Sequence, residues 1–226
     1  MGIIDLTGRI HDGIWNYGEP FPHYHMRPLP QPEWVETKVY CEIFDGLNSQ
    51  TGTYLETPAH LLGYEKSYPI SQIPIEKLYE MPCTVLQITP NEGYKRPTVT
   101  AEMLRKAADE IGFCKDYVRN GALIVSTGWG SHWDNADYLD RAPYFTYEAV
   151  KQLIEWKPFI LASDIPRWEN MDEPQGFFPE FYAADILMLA PVVNTERLRL
   201  SRSLLTVLPM AIDDSCCVPC RAVVIE

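Results

Sequence analysis

Between Gln50 and His60 the sequence reads QTGTYLETPAH, which places a carboxylate, Glu56, four residues before an imidazole, His60. A carboxylate within reach of an imidazole is an acid/base pair that works near neutral pH. If residues 53–56 are extended, Tyr54 and Glu56 point to one face, and Thr53 and Leu55 to the other. Gly52 lets the backbone approach a ligand closely, Pro58 ends the strand, and His60 follows in a turn that folds back toward Glu56. Glu56, His60 and Tyr54 are therefore the candidate catalytic residues, with the Tyr54 hydroxyl aimed at a developing oxyanion.

Other chemistry-bearing residues lie further out. His23 and His25 share a face if extended, and could bring nitrogen ligands from a covering segment or form an exposed polar patch. Trp129, His132 and Trp133 follow an apolar run through Gly128 and Gly130, in the kind of loop where ligand pockets form. Phe177, Phe178, Phe181 and Tyr182 suit either an aromatic wall for a flat apolar substrate or plain packing. Trp15, Trp129, His132 and Phe178 are the expected substrate contacts. Asp164, Arg167 and Glu169 read as a surface ion-pair group worth little.

These groups need a scaffold, and the apolar, β-branched runs at 37–44, 83–88, 122–127, 159–164, 186–193, 205–210 and 221–226 read as strands. Thr100 caps a helix that runs to Gly112, Thr146 caps one that stops at Pro158, and a shorter helix covers 75–80. The strands do not alternate strictly with helices, so the expected architecture is an α/β mixed, barrel-like sheet with helices packed outside it. Residues 1–226 read as a single domain, because no Pro/Gly/Ser linker divides them. Residues 11–36 hold five prolines and several aromatics and show no period; they are expected to form an ordered arm that covers a site or docks on another subunit.

Composition narrows the function classes. With 31 acidic against 19 basic residues the net charge is -12, which repels a phosphate backbone and an anionic membrane surface, so no nucleic-acid or membrane partner is expected. No basic leader and no run of about 18 apolar residues is visible, and the chain is expected to be cytoplasmic. The six cysteines are too uneven for a secreted disulfide scaffold. Cys217 and Cys220 have the spacing of a redox or zinc pair, but the strand-like RAVVIE follows them where a redox pair needs a helix, so they read as small buried or turn residues.

The stretch from Gln50 to His60 resembles the motif H-x-G-T-H-x-D-x-P-x-H of the cyclase family of metal-dependent hydrolases, which includes kynurenine formamidase-like and isatin hydrolase-like enzymes. Gly52, Thr53, Pro58 and His60 match it position for position. IIDLT near the start, GALIVSTGW at 121–129, Asp164, VVNTERL at 192–198 and VLPM followed by VPCRAVV line up as well. The resemblance implies a swivelling β/β/α-type domain, a homodimer or homotetramer, and hydrolysis of a C-N bond in a small amide or cyclic amide. It also implies zinc or manganese as cofactor, no nucleotide cofactor, His60 as proton shuttle and a site near Asp164 and the TGW turn.

Gln50, Tyr54 and Glu56 occupy the positions of the motif's first two His and its Asp. Ala190 and Phe178 fall where a later Glu and His are expected. Three readings follow: a hydrolase with an altered metal site built on Glu56 and Gln50; a metal-free enzyme, hydrolase or lyase, in which Glu56 and His60 share the acid/base work; and a binding homologue without chemistry. The replacements are polar and hydrogen-bonding, where a site filled in as core would carry Leu or Val, and this favours the enzymes.

Overall fold

The computed structural model describes residues 2–91 and 96–226. Twelve strands are formed among them: β1 Ile3–Asp5, β2 His25–Pro28, β3 Glu42–Asp45, β4 Tyr54–Glu56, β5 Met81–Gln87, β6 Thr98–Val99, β7 Ala122–Ser126, β8 Tyr144–Phe145, β9 Ile160–Ser163, β10 Leu187–Ala190, β11 Arg202–Pro209 and β12 Cys217–Ile225. The α-helices are α1 Ala59–Leu62, α2 Ala101–Glu110, α3 Lys115–Arg119, α4 Tyr147–Trp156 and α5 Phe178–Ala183.

The main sheet runs β1-β12-β11-β5-β7-β9-β10-β4, and β4 pairs again with β12, which closes seven of the strands into a barrel with β1 on its outside edge. The strands β5, β7, β9 and β10 are parallel neighbours, and β4, β11, β12 and β1 add antiparallel pairs. Side chains alternate along each strand, and the alternation sorts them into two cores. Ala122 and Ile124 join Leu55, Val85, Leu189 and Val207 inside the barrel. Leu123 and Val125 face outward and join Leu104, Val150, Leu153 and Phe181 beneath the helices. Central strands buried on both faces explain the continuous apolar runs of the sequence.

Both long helices start where the sequence places them. The Thr100 hydroxyl accepts from the Met103 N–H and the Thr146 hydroxyl from the Ala149 N–H, each at 3.3 Å. Residues 75–80 are shorter than expected: a single 3₁₀ turn, Ile75–Lys77, follows Pro74 and is capped by Leu78, whose N–H returns to the Ile75 carbonyl. Within the run at 37–44 only residues from Glu42 onward pair, and their partner is β2 inside the proline-rich arm, so the arm carries a strand that its sequence does not announce. The β11 and β12 strands start earlier than the sequence suggests, at Arg202 and Cys217. Cys217 and Cys220 are therefore buried strand residues with free thiols. No helix among the described residues is long and apolar enough to cross a membrane.

Candidate active site

Strand β4 lies between β10 and β12, with Glu56 in register with Met188 on one side and Cys217 on the other. Leu55 enters the barrel, so Tyr54 and Glu56 face outward, toward α1 and α5. Gly52, at φ 75, sits where an added Cβ would come within 2.8 Å of Ile10 Cγ1, so the approach to the strand requires glycine. Buried Thr53 fixes the strand further: its Oγ1 accepts from the Gly8 N–H at 3.0 Å and donates to the Pro191 carbonyl at 2.7 Å. Pro58 opens α1, and this one-turn helix carries His60 back toward Glu56.

The Glu56 carboxylate is completely buried and fully engaged. Tyr182, on α5, donates its hydroxyl to Oε1; Gln50 Nε2 donates to Oε2 at 3.1 Å; and His60 Nδ1 stands 3.5 Å from Oε2. Burial pushes the Glu56 pKa above the ordinary carboxylate range, against the opposing pull of the His60 charge and of the hydrogen bonds from Tyr182 and Gln50. His60 is 42% exposed, so it links the buried acid to the outside.

These groups border a cavity of about 330 Å³ whose walls include Tyr54, Phe178, Tyr182, Trp168 and Met188. Gln50, Tyr54, Glu56, His60 and Phe178 are thus brought together. Trp15, Trp129 and His132 are not. Trp15 packs in an aromatic cluster with Tyr17, Trp133 and Tyr138, at centroid distances of 5.1, 5.1 and 5.6 Å. Trp129 stacks on His132 at 4.1 Å and gives its indole N–H to the Tyr138 carbonyl at 3.0 Å. The left-handed Gly128 turns that loop into the aromatic cluster and away from the cavity.

His25 is bonded to Asp12 at 2.9 Å on the surface, and neither it nor His23 borders the cavity. Asp164 is fully buried as a knot of structure, accepting from Thr127 N–H and Oγ1 and from Thr195 Oγ1. Arg167 and Glu169 both border the cavity and do not pair with each other; the ion pair of Arg167 is with Asp140.

Tyr17 is a site residue that the sequence reading does not single out, and Tyr182, read there only as aromatic wall or packing, has a polar role as well. Tyr182 stands four residues after Phe178 on α5, the spacing that shares a helix face, and its ring stacks on Phe178 at 5.8 Å. Tyr17 comes from the arm. Its hydroxyl donates to the Pro166 carbonyl at 3.0 Å, and a carbonyl can only accept, so the 3.1 Å contact between Tyr17 and Tyr54 has Tyr54 as donor. Tyr54 thus meets the cavity as an acceptor, with its proton directed away from any oxyanion.

The same proton directions test the implied metal. Tyr54 keeps its proton on the bond to Tyr17, and burial favours that neutral form, so what it presents is a neutral phenol oxygen. Gln50 turns an N–H toward Glu56, and Tyr182 donates to the one carboxylate present. Among the described residues no group of three or more His, Cys, Asp or Glu side chains gathers to hold a metal. This donor set does not fit a zinc or manganese site of the kind the motif implies.

The profile of the Putative cyclase family matches residues 4–170, more than half of the chain. The chain belongs to this family. Solved structures share the fold at low identity. An isatin hydrolase bound to the product analogue thioisatinate is 16% identical with a TM-score of 0.78, covering 98% of this chain and 91% of its own. Isatin hydrolase A from Labrenzia aggregata, bound to benzyl benzoate, is 19% identical with a TM-score of 0.77, covering 99% and 93%. A predicted metal-dependent hydrolase from Bacillus stearothermophilus is 15% identical with a TM-score of 0.73, covering 99% and 97%. No curated protein sequence matches the chain. Against this cyclase-family background Ala190 lies opposite Tyr54 in the sheet, and Tyr182, one turn past Phe178, supplies the polar contact to Glu56.

Proposed function

We propose that this cyclase-family protein hydrolyses a C-N bond of a small amide or cyclic amide, as an arylformamidase-like amidohydrolase, using the Glu56–His60 pair without a metal. The observation that carries the reading is a buried carboxylate within ion-pair distance of a half-exposed imidazole at the edge of an aromatic-walled cavity. The family's solved hydrolases support the reaction class.

With Nδ1 turned to Glu56, the imidazole carries its hydrogen there and leaves Nε2 as the basic nitrogen. His60 Nε2 takes a proton from water, whose oxygen attacks the carbonyl carbon. Glu56 stabilises the imidazolium that forms. The C-N bond then breaks, and His60 returns the proton to the leaving nitrogen, giving an acid and an amine from amide and water. Gln50, whose second Nε2 hydrogen has no acceptor among the described residues, is the neutral donor placed to polarise the carbonyl oxygen.

The test is turnover on a panel of aryl formamides and cyclic amides, with metal content measured on the same protein. Turnover that survives chelation and is lost in His60→Ala supports the reading. Turnover that vanishes on chelation and returns with Mn²⁺ or Zn²⁺ overturns its metal-free part. Tight ligand binding with no turnover across the panel makes the protein a binding homologue. The same reading extends to a cytoplasmic homodimer or homotetramer. Trp34 and Tyr40, 82% and 79% exposed between β2 and β3, are surfaces that subunit contact would cover, and sedimentation measures the oligomeric state.

A further inference from the structure

Arg167 brings a guanidinium to the wall of the cavity that Glu56 and His60 border. Its Nη2 donates to the Tyr17 carbonyl at 3.3 Å, and its Nη1 stands 3.4 Å from Asp140 Oδ1, a carboxylate 79% exposed. A guanidinium has five N–H groups, so these two contacts leave three hydrogens uncommitted. The Asp140 partner stands in water, where an ion pair contributes little and exchanges readily. The acid on the same wall, Glu169, accepts the Gly176 N–H at 2.5 Å and forms no ion pair with Arg167.

A second guanidinium supports the first from behind. Arg96 is buried and donates to four main-chain carbonyls: Ala142 at 2.7 Å, Pro143 and Glu169 at 3.3 Å, and Arg167 at 3.4 Å. These bonds clamp the loop that carries Arg167. Burial and then the nearby Arg167 charge pull the Arg96 pKa down, with Asp172 and Asp140 opposing, so two positive charges act close together behind this wall. The stacked rings of Phe178 and Tyr182 give the cavity a flat apolar side.

We propose that Arg167 recognises an anionic group, a carboxylate, on a planar aromatic ligand, with Arg96 as the positioning residue that holds its loop. This names the substrate class, a carboxylated aryl amide, and in that respect rests on the hydrolase reading. Recognition of the anion by itself does not depend on turnover. A carboxylate would take the bidentate geometry that a planar guanidinium offers.

Calorimetric titration of the whole protein near neutral pH with benzoate and with benzamide separates the two ideas. The wild type is expected to bind benzoate roughly tenfold to a hundredfold more tightly than benzamide, the range set by a charge-assisted hydrogen bond. Arg167→Gln should abolish that ratio and Arg167→Lys should keep part of it; a loss that only loosened the loop would weaken both probes alike. Equal binding of the two probes by the wild type overturns the proposal, and this holds even where the Gln variant fails to fold. So does a ratio that persists in a folded Arg167→Gln. Absence of turnover on any amide, with the Arg167-dependent ratio intact, removes the hydrolase reading and leaves the anion site standing.

Discussion

The Tyr182 hydroxyl donates to Glu56 Oε1 inside a buried site, joining helix α5 to a strand 126 residues earlier in the chain. This bond favours the ionised acid against burial, so removing it must raise the Glu56 pKa further. Tyr182→Phe is expected to move the acid limb of the pH–rate profile to higher pH and to cost about 1–3 kcal/mol of stability, the penalty for a buried acceptor left without a donor. A profile that stays in place would show that the bond does not govern the charge of Glu56.

His60 lies half in solvent on a one-turn helix, so its side chain contributes little to packing. His60→Ala removes a charged partner of the buried Glu56, so it should cost about 1 kcal/mol, less than a fully buried partner because the imidazole is screened by solvent. Turnover should fall by about 10²–10⁴-fold, the value of a positioned general acid or base. The two numbers together make the test: thermal melting and steady-state rates on one preparation, with wild-type turnover in the mutant excluding His60 from the proton path.

Much of this site is legible in the sequence because its parts are local. Glu56, Tyr54 and His60 lie within seven residues, and the two-residue period of a strand followed by a proline suffices to put them on one face. The same period, repeated in the apolar runs, gives the barrel strands. Contacts closed through space are not legible in this way. Tyr182 and Arg167 reach the cavity only because β10 lies beside β4 in the closed sheet with β9 next to it, and Tyr17 only because the arm folds across it. Trp129 and His132 mislead for a physical reason: a strand-end loop is a common place for a pocket, but Gly128 turns this one toward an aromatic cluster that seals a different edge.

Glu56 also makes stability depend on pH, with a sign that follows from its raised pKa. Between the ordinary carboxylate value and the raised one, the unfolded chain has released this proton while the folded chain keeps it. The unfolded state therefore binds fewer protons, and stability falls as pH rises through that window. Asp164, fully buried and raised in the same direction by burial, adds a parallel slope, so the wild type alone does not isolate Glu56. The difference between wild type and Glu56→Gln does: urea midpoints taken across the window should converge at its acid end and separate toward neutral pH, with the Gln protein gaining. Parallel curves would mean that Glu56 ionises as freely folded as unfolded.

Thr53 makes a last prediction, because one hydroxyl there holds two main-chain groups. Its Oγ1 accepts from Gly8 and donates to Pro191, tying the segment after β1 and the turn after β10 to the strand that carries Glu56. Valine matches threonine in shape but not in the hydroxyl, so Thr53→Val leaves a buried N–H and a buried carbonyl without this partner. The expected cost is about 1–3 kcal/mol, seen as a lower urea midpoint at unchanged slope. Thr53→Ser keeps the hydroxyl and should recover most of that loss. If the hydroxyl also sets the position of β4, turnover per folded molecule should drop in the Val protein and return in the Ser protein. Equal turnover in both would confine Thr53 to stability and leave the placement of Glu56 to its sheet neighbours, Met188 and Cys217.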